Sequence, residues 1–306
     1  MTKVLIATVK PFAPAAVNEI KEIFDKAGYE TILLEKYPEQ SDFVKAVEDV
    51  DALIIRSDKA TKEVIDSGKN LKIIVRAGAG YDNIDLEAAT GKGVVAMNTP
   101  GQNSNAVAEL ALGMMGYLAR NQFNGTAGTE LRGKKLGIHA YGNVGKYVAK
   151  IAKGFGMEIY AYDPFIPKET IEKDGVKVLD SAEELYKTCQ YVSVNIPANE
   201  KTKNSINYKL LSLMPKGATL VNTARKEVVC EESLLRIFAD RNDFKYISDI
   251  APDCKDEIAG KFEGRFFFTP KKMGAQTSEA NINAGIAAAT QIINYLEKGD
   301  KTYQVN

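Results

Sequence analysis

LRGKKLGIHAYGNVGKYVAKIAKGFGMEIYAYDP, residues Leu131 to Pro164, decides how the rest of the chain is read. Leu136 to Ala140 is a short apolar-rich run of strand character. Val144, Val148, Ile151, Ala152 and Phe155 then recur at helical spacing, and Ile159 to Tyr162 returns to strand. The turn between them, A-Y-G-N-V-G, has the form of a G-x-G-x-x-G dinucleotide fingerprint with Ala140 in the place of its first glycine. In that reading Gly142, Asn143 and Val144 bring backbone and a helix N-terminus to a pyrophosphate, and Gly145 lets helix and strand pack closely. Asp163, 18 residues beyond Gly145, stands where a carboxylate accepts hydrogen bonds from ribose hydroxyls. An ordinary strand-to-helix turn with a surface aspartate would use the same residues; the strand-helix-strand context and the position of Asp163 favour the nucleotide. A 2′-phosphate would be repelled by Asp163, so NAD is expected rather than NADP.

A chain of 306 residues with 45% hydrophobic residues has the length of about two domains, each with a substantial core. Lys plus Arg and Asp plus Glu are both 40, so no net basic field draws nucleic acid or a membrane surface. Cys189, Cys230 and Cys254 are odd in number and far apart, which argues against a disulfide framework or a zinc site and fits a reducing cytoplasm; no metal is expected. The N-terminus reads as a first strand, and no stretch approaches the length of a membrane span.

From Met1 the chain alternates between β-like runs (Val4–Ala7, Ile32–Leu34, Leu53–Ile55, Ile73–Val75, Val94–Met97) and helical segments. Val17, Ile20, Phe24 and Ala27 share one helical face, with Gly28 as a C-terminal cap. Such alternation predicts a parallel sheet covered on both faces. After Met97, NTPGQNSNAVAELALGMMGYLAR carries a long apolar stripe from Val107 to Leu118, with Asn103 or Ser104 as cap, and marks the domain crossing. Six further strands follow, near Leu136, Ile159, Tyr191, Leu220, Tyr246 and Phe266. A last helix, Ser278 to Lys298, with Ile282, Ile286, Ala289, Ile293 and Leu296 on one stripe, is expected to return to the first domain. The predicted fold class is therefore α/β, with two doubly wound parallel-sheet (Rossmann-like) domains: 1–98 plus 281–306, and 99–280.

Four stretches, RAGAGYDNID (Arg76–Asp85), NTPGQNSNAVAEL (Asn98–Leu110), LGIHAYGNVG and NTARKEVVCEESL (Asn222–Leu234), resemble the D-isomer-specific 2-hydroxyacid dehydrogenases, in order and over nearly the whole length. The resemblance implies a cleft between the two domains, NAD on the central one, and a homodimer built through it. By the same resemblance Arg225 binds the substrate carboxylate and polarises the keto oxygen, a task suited to a planar, permanently charged fork. Thr223 and Ala224 flank it at the cofactor, Asp249 holds the nicotinamide carboxamide, Gly274 lies beside the ring, and Asn103 touches substrate. The backbone N–H groups of Ala77 and Gly78 receive the substrate carboxylate. Across Arg56 to Leu118 the likeness is to the phosphoglycerate-oxidising members; Arg56, Lys59 and Arg76, at two neighbouring strand ends, then form a phosphate cradle. The bland alternative pairs these cations with Asp58, Asp82 or Asp85.

One departure matters most. Family members place a catalytic histidine in T-P-H-x-G, where this chain reads TPKKMG, and its single histidine, His139, lies on the strand before the nucleotide turn and is expected to be structural. Counted from Gly274 the position falls on Lys272; counted from Pro270 it falls on Lys271. Lys272 is preferred as the acid/base. The family's orienting glutamate falls on Cys254, and Asp253 is the chosen substitute over Asp256 and Glu257. Lys226 and Glu227 replace the glycines that usually follow the arginine.

The resulting expectation is NAD-dependent oxidation of D-3-phosphoglycerate to 3-phosphohydroxypyruvate, the entry to serine biosynthesis, without the C-terminal regulatory domains of longer members. Two alternatives stand beside it: a glyoxylate or hydroxypyruvate reductase, and a non-catalytic NAD-sensing binding protein, suggested by the lost histidine and the displaced glutamate.

Overall fold

The computed structural model describes residues 1–306 and divides into two compact units, Met1–Asn103 with Thr277–Asn306, and Ser104–Gln276. The first unit runs β1 (Lys3–Thr8), α1 (Pro14–Lys26), β2 (Glu30–Glu35), α2 (Gln40–Ala46), β3 (Ala52–Ile55), α3 (Lys62–Ser67), β4 (Ile73–Arg76), α4 (Leu86–Lys92) and β5 (Val95–Asn98). The second runs α5 (Ser104–Ala119), β6 (Lys135–His139), α6 (Asn143–Gly154), β7 (Glu158–Tyr162), α7 (Lys168–Lys173), β8 (Lys177–Val178), α8 (Ala182–Thr188), β9 (Tyr191–Val194), α9 (Tyr208–Leu213), β10 (Thr219–Asn222), α10 (Glu231–Asp240), β11 (Lys245–Ser248), α11 (Lys255–Lys261) and β12 (Phe266–Phe268). The chain then re-enters the first unit with α12 (Ser278–Lys298). No helix is long and apolar enough to cross a membrane.

Both sheets are parallel throughout, in the orders β2-β1-β3-β4-β5 and β12-β11-β10-β9-β6-β7-β8. Strand order reverses between β1 and β3 in one and between β6 and β9 in the other, the two places where such sheets open a crevice at their carboxyl ends. Each sheet is covered on both faces, which is why its strands read as unbroken apolar runs. Ala52 and Ile54 of β3 join one core with α1 and α12 while Leu53 and Ile55 join the opposite one, and in β10 Val221 and Leu220 divide the same way.

Local signals place the ends. Pro14 opens α1, and Gly28 follows its C-cap in the left-handed region at φ 71°. The Thr277 hydroxyl accepts from the Ala280 N–H to start α12, and Gly299 at φ 70° ends it. Two details differ from the sequence reading. The second sheet has a seventh strand, the two-residue β8, too short to show any periodicity. On α12 the deeply buried side is Ala284, Gly285, Ala288, Ala289 and Ile292, whereas Ile282, Ile286, Ile293 and Leu296 flank it half-buried. Small residues face the core because α1 lies close: a Cβ on Gly285 would come within 2.6 Å of Ile20 Cδ1.

Candidate active site

In the second unit the register aligns strand ends: His139 and Asn222 both pair with Val194, Asn222 with Ser248, and Ser248 with Phe268. Ala140, Asn195, Thr223, Asp249 and Thr269 therefore leave one edge side by side. The glycine turn follows β6. Ala140, at φ 77°, holds the left-handed conformation that the missing glycine would take freely. Gly142 precedes α6, and both Gly142 and Asn143 are exposed. Gly145 has no room for a side chain, since a Cβ would stand 2.5 Å from the Ala140 carbonyl oxygen and 3.0 Å from Ile138 Cγ2. Asp163, just after β7, ties the turn to its own loop: its Oδ2 accepts the Tyr141 N–H of the turn at 2.8 Å, and its Oδ1 accepts those of Phe165 at 2.8 Å and Ile166 at 3.2 Å in the loop that follows it. His139 is buried between the rings of Tyr162 and Tyr186, and burial pushes its pKa down to about 4. Its place is structural.

The loop after β12 carries both candidate lysines and is anchored by Asp249. That carboxylate, 1% exposed, accepts the Thr269 hydroxyl at 2.9 Å and the Met273 N–H at 2.7 Å on Oδ1, and the Gly274 N–H at 2.8 Å on Oδ2. The Gly274 N–H is thus committed to Asp249 and cannot also serve a ligand. Lys271 is exposed, while Lys272 is half-buried with its Nζ donating to the Ala224 carbonyl oxygen at 2.8 Å. Arg225 Nη1 donates to that same oxygen at 3.1 Å. The amine of Lys272 and the guanidinium of Arg225, from two separate loops, so converge on one atom.

Asp253 does something other than expected: it is exposed and forms an ion pair with Lys226. This gives Lys226, in the place of a glycine, a structural partner. Asp256 and Glu257 lie on the first turn of α11. Glu231 holds the intervening loop by accepting the N–H groups of Asp253 at 2.7 Å and Cys254 at 3.0 Å. Burial, with Glu231 adding to it, pushes the Cys254 thiol up to about 12, so the residue at the counted glutamate position is a neutral thiol.

In the first unit Ile55 pairs with Arg76 and Arg76 with Asn98, which brings the loops after β3, β4 and β5 together. Arg76 Nε donates to the Arg56 carbonyl oxygen at 2.9 Å. Its guanidinium lies across Gly78, where any Cβ would fall 1.5 Å from Nη1. Arg56 is half-buried over the Phe12 ring, with Nη1 donating to the carbonyls of Lys10 and Pro11, both at 3.0 Å, and Nη2 to Asn281 Oδ1. Lys59 is exposed and Asn103 immediately precedes α5. The Ala77 N–H does not await a ligand, because it donates to the Ile55 carbonyl at 2.8 Å, extending the ladder one residue past the strand. The N–H groups of Gly78 and Ala79 have no acceptor within the chain, and they replace Ala77 as the open donors of this loop.

Residues 108–255 match the family model described as D-isomer specific 2-hydroxyacid dehydrogenase, NAD binding domain. The chain is 38% identical over 272 residues to the D-3-phosphoglycerate dehydrogenase of Methanocaldococcus jannaschii, covering 83% of this chain and 51% of that one. It is 37% identical over 280 residues to the hydroxypyruvate reductase of Thermotoga maritima, covering 84% and 89%. The chain belongs to the D-isomer-specific 2-hydroxyacid dehydrogenases. A crystal structure of NAD+-bound 3-phosphoglycerate dehydrogenase from Entamoeba histolytica superimposes on this chain with a TM-score of 0.88 at 48% identity, over 100% of this chain and 98% of that one. The chain spans about half the length of the curated phosphoglycerate dehydrogenases it matches.

The residues of the second unit fit the family's NAD. The turn presents Gly142 at a helix N-terminus, Asp163 retains acceptor capacity on Oδ2, and two buried side-chain oxygens at the strand ends, Thr223 Oγ1 and Asn195 Oδ1, have no partner in the chain. Asn195 was not singled out in sequence; it follows β9 at the point where strand order reverses, and only the topology reveals that.

Proposed function

We propose that the chain is an NAD-dependent dehydrogenase that interconverts D-3-phosphoglycerate and 3-phosphohydroxypyruvate, with Lys272 moving the proton and Arg225 polarising the oxygen. The observation that carries this reading is the Ala224 carbonyl, which receives both Lys272 Nζ and Arg225 Nη1. One oxygen fixes two cationic groups, so a carbinol or keto oxygen placed beside them meets a proton carrier and a charged fork together. NAD, when bound, takes the hydride from the carbinol carbon.

Each chain residue then has a task. Gly142, Asn143, Val144 and Gly145 receive the pyrophosphate, Asp163 the ribose hydroxyls, and Thr223, Ala224 and Asp249 border the nicotinamide. Asp249 also sets the path of the lysine loop, because three donors of that loop end on its carboxylate. In oxidation the Lys272 amine accepts the hydroxyl proton; in reduction its ammonium returns it. The N–H groups of Gly78 and Ala79 are donors for the substrate carboxylate, and Arg56, Lys59 and Arg76 bind the phosphate, with Asn103 as a further polar contact. The exposed Phe123, edge-on to Tyr117, offers apolar surface suited to a second copy of the chain, and a homodimer is part of the same reading.

An unphosphorylated substrate is favoured by a different observation: three of the five Arg56 donors already end on Lys10, Pro11 and Asn281. Arg56→Ala separates the two. The phosphoglycerate reading expects KM for 3-phosphohydroxypyruvate to rise with little change for hydroxypyruvate, whereas equal effects on both substrates support the hydroxypyruvate reductase.

A further inference from the structure

Asp58 follows Arg56 by two residues and takes no part in the chemistry described above. It is 6% exposed, an unusual place for a carboxylate. Its Oδ1 accepts the Val9 N–H at 2.7 Å and the Tyr37 hydroxyl at 2.8 Å, while Oδ2 is buried with no donor in the chain. A desolvated acceptor without a donor is costly, so a loop anchor alone would be better served by a neutral side chain.

What Asp58 holds is the segment after β1. Val9 begins it, and the carbonyls of Lys10 and Pro11 are the two acceptors of Arg56 Nη1. The Thr8 hydroxyl donates to Lys10 O as well, and Phe12 of the same segment lies under the guanidinium at 4.9 Å. From the other side Asn83 Nδ2 donates to the main-chain oxygens of Arg56 at 3.1 Å and Asp58 at 2.6 Å. The half-buried guanidinium therefore rests on a cradle whose near end is tied to Asp58, and the negative charge of Asp58 favours the charged form that burial opposes.

We propose that Asp58 is a positioning residue for the anion subsite, acting through the Val9–Phe12 segment to aim the Arg56 guanidinium at the substrate phosphate. This rests on Arg56 as a phosphate ligand. Removing the carboxylate frees the segment, Arg56 loses a defined direction, and affinity for the phosphorylated substrate falls while hydride transfer does not.

The test uses the full chain, with KM and kcat for 3-phosphohydroxypyruvate measured at saturating NADH and active protein counted by NADH binding. Asp58→Ala is expected to raise KM roughly tenfold with kcat little changed. Asp58→Asn, which keeps the Oδ1 acceptor for Val9 and Tyr37 but not the charge beside Arg56, is expected to recover only part of that loss. On an Arg56→Ala background Asp58→Ala is expected to add nothing further. Should Asp58→Ala fail to fold, Tyr37→Phe removes only a hydroxyl from the same anchor and is expected to raise KM in the same direction. Additive effects of Asp58 and Arg56, or an unchanged KM in both Asp58→Ala and Tyr37→Phe, overturn the positioning role alone. If Arg56→Ala itself leaves KM for 3-phosphohydroxypyruvate intact, the phosphate reading falls, and this inference with it.

Discussion

Lys272 and Arg225 meet at one atom, the Ala224 carbonyl oxygen, which accepts the amine at 2.8 Å and the guanidinium Nη1 at 3.1 Å. If this convergence is the catalytic arrangement, Lys272→Ala removes the proton carrier and lowers kcat by about 10²- to 10⁴-fold, the usual worth of general acid-base catalysis. NADH binding, followed by its fluorescence, is expected to persist, and Lys271→Ala, which truncates an exposed side chain, to remain within a few-fold of wild type. A Lys272→Ala protein as active as its parent would end the proposal.

The same assignment has a pH consequence with a definite sign. Oxidation needs a neutral amine, and the neutral fraction of an amine grows as pH rises toward its pKa. The oxidation rate is therefore expected to climb through about pH 7 to 9, whereas reduction, which uses the ammonium, is already supported at neutrality. A pH-rate profile for oxidation that is flat from about pH 6 upward points to another base.

Asp163 accepts one backbone N–H of the glycine turn, that of Tyr141, and two of its own following loop, those of Phe165 and Ile166, and is proposed to hold the ribose hydroxyls as well. Asp163→Ala is expected to weaken NADH binding by about 10- to 100-fold, the range for hydrogen bonds to a charged group. NADPH is expected to lose far less, because the charge that repels its 2′-phosphate goes at the same time. Titration of both nucleotides against both proteins checks the ratio; parallel losses would assign Asp163 to the turn alone.

Ala140 offers a test of stability rather than activity. At φ 77° an alanine pays the left-handed penalty of about 1–2 kcal/mol, and glycine returns part of that gain as unfolded-state entropy, about 0.4–1 kcal/mol. Ala140→Gly is expected to raise the urea midpoint, by a net stabilisation of between about 0 and 1.6 kcal/mol. A lower midpoint with unchanged slope would mean that the Ala140 methyl contributes packing outweighing its strain.

The sheets were legible because strands buried on both faces announce themselves as apolar runs, and the glycine turn at 140–145 needs particular residue types. β8 was not, since two residues carry no period. The face of α12 was misjudged for a physical reason: Ile286 and its neighbours looked like the core stripe, yet the approach of α1 demanded Gly285 and Ala288 there. Site residues divide the same way. Arg225 and Lys272 are expectations drawn from the family resemblance, with Lys271 as the alternative, but whether a given N–H is open depends on register, and the ladder from Ala77 to Ile55 takes the donor that sequence assigned to substrate. The Lys226 to Asp253 pair joins two loops whose proximity no local pattern reveals.

His139 is the only histidine in the chain, so its titration can be isolated. Burial holds its folded pKa near about 4, against an unfolded value of 6.5. Between those values the unfolded chain binds the proton and the folded one does not, so stability is complete above about pH 6.5 and falls as pH drops toward 4, by up to roughly 3 kcal/mol. Asp243 does not obscure this window: its hydrogen bond from Arg241 lowers it to about 2, and the stability it contributes is lost only as pH falls from about 3.8 toward 2. His139→Phe, which keeps a ring against Tyr162 and Tyr186, is expected to flatten the loss of stability between about pH 6.5 and 4. Urea unfolding at about pH 7 and 4.5 for the two proteins measures the difference, and equal acid slopes would show that the imidazole is reached by protons without unfolding.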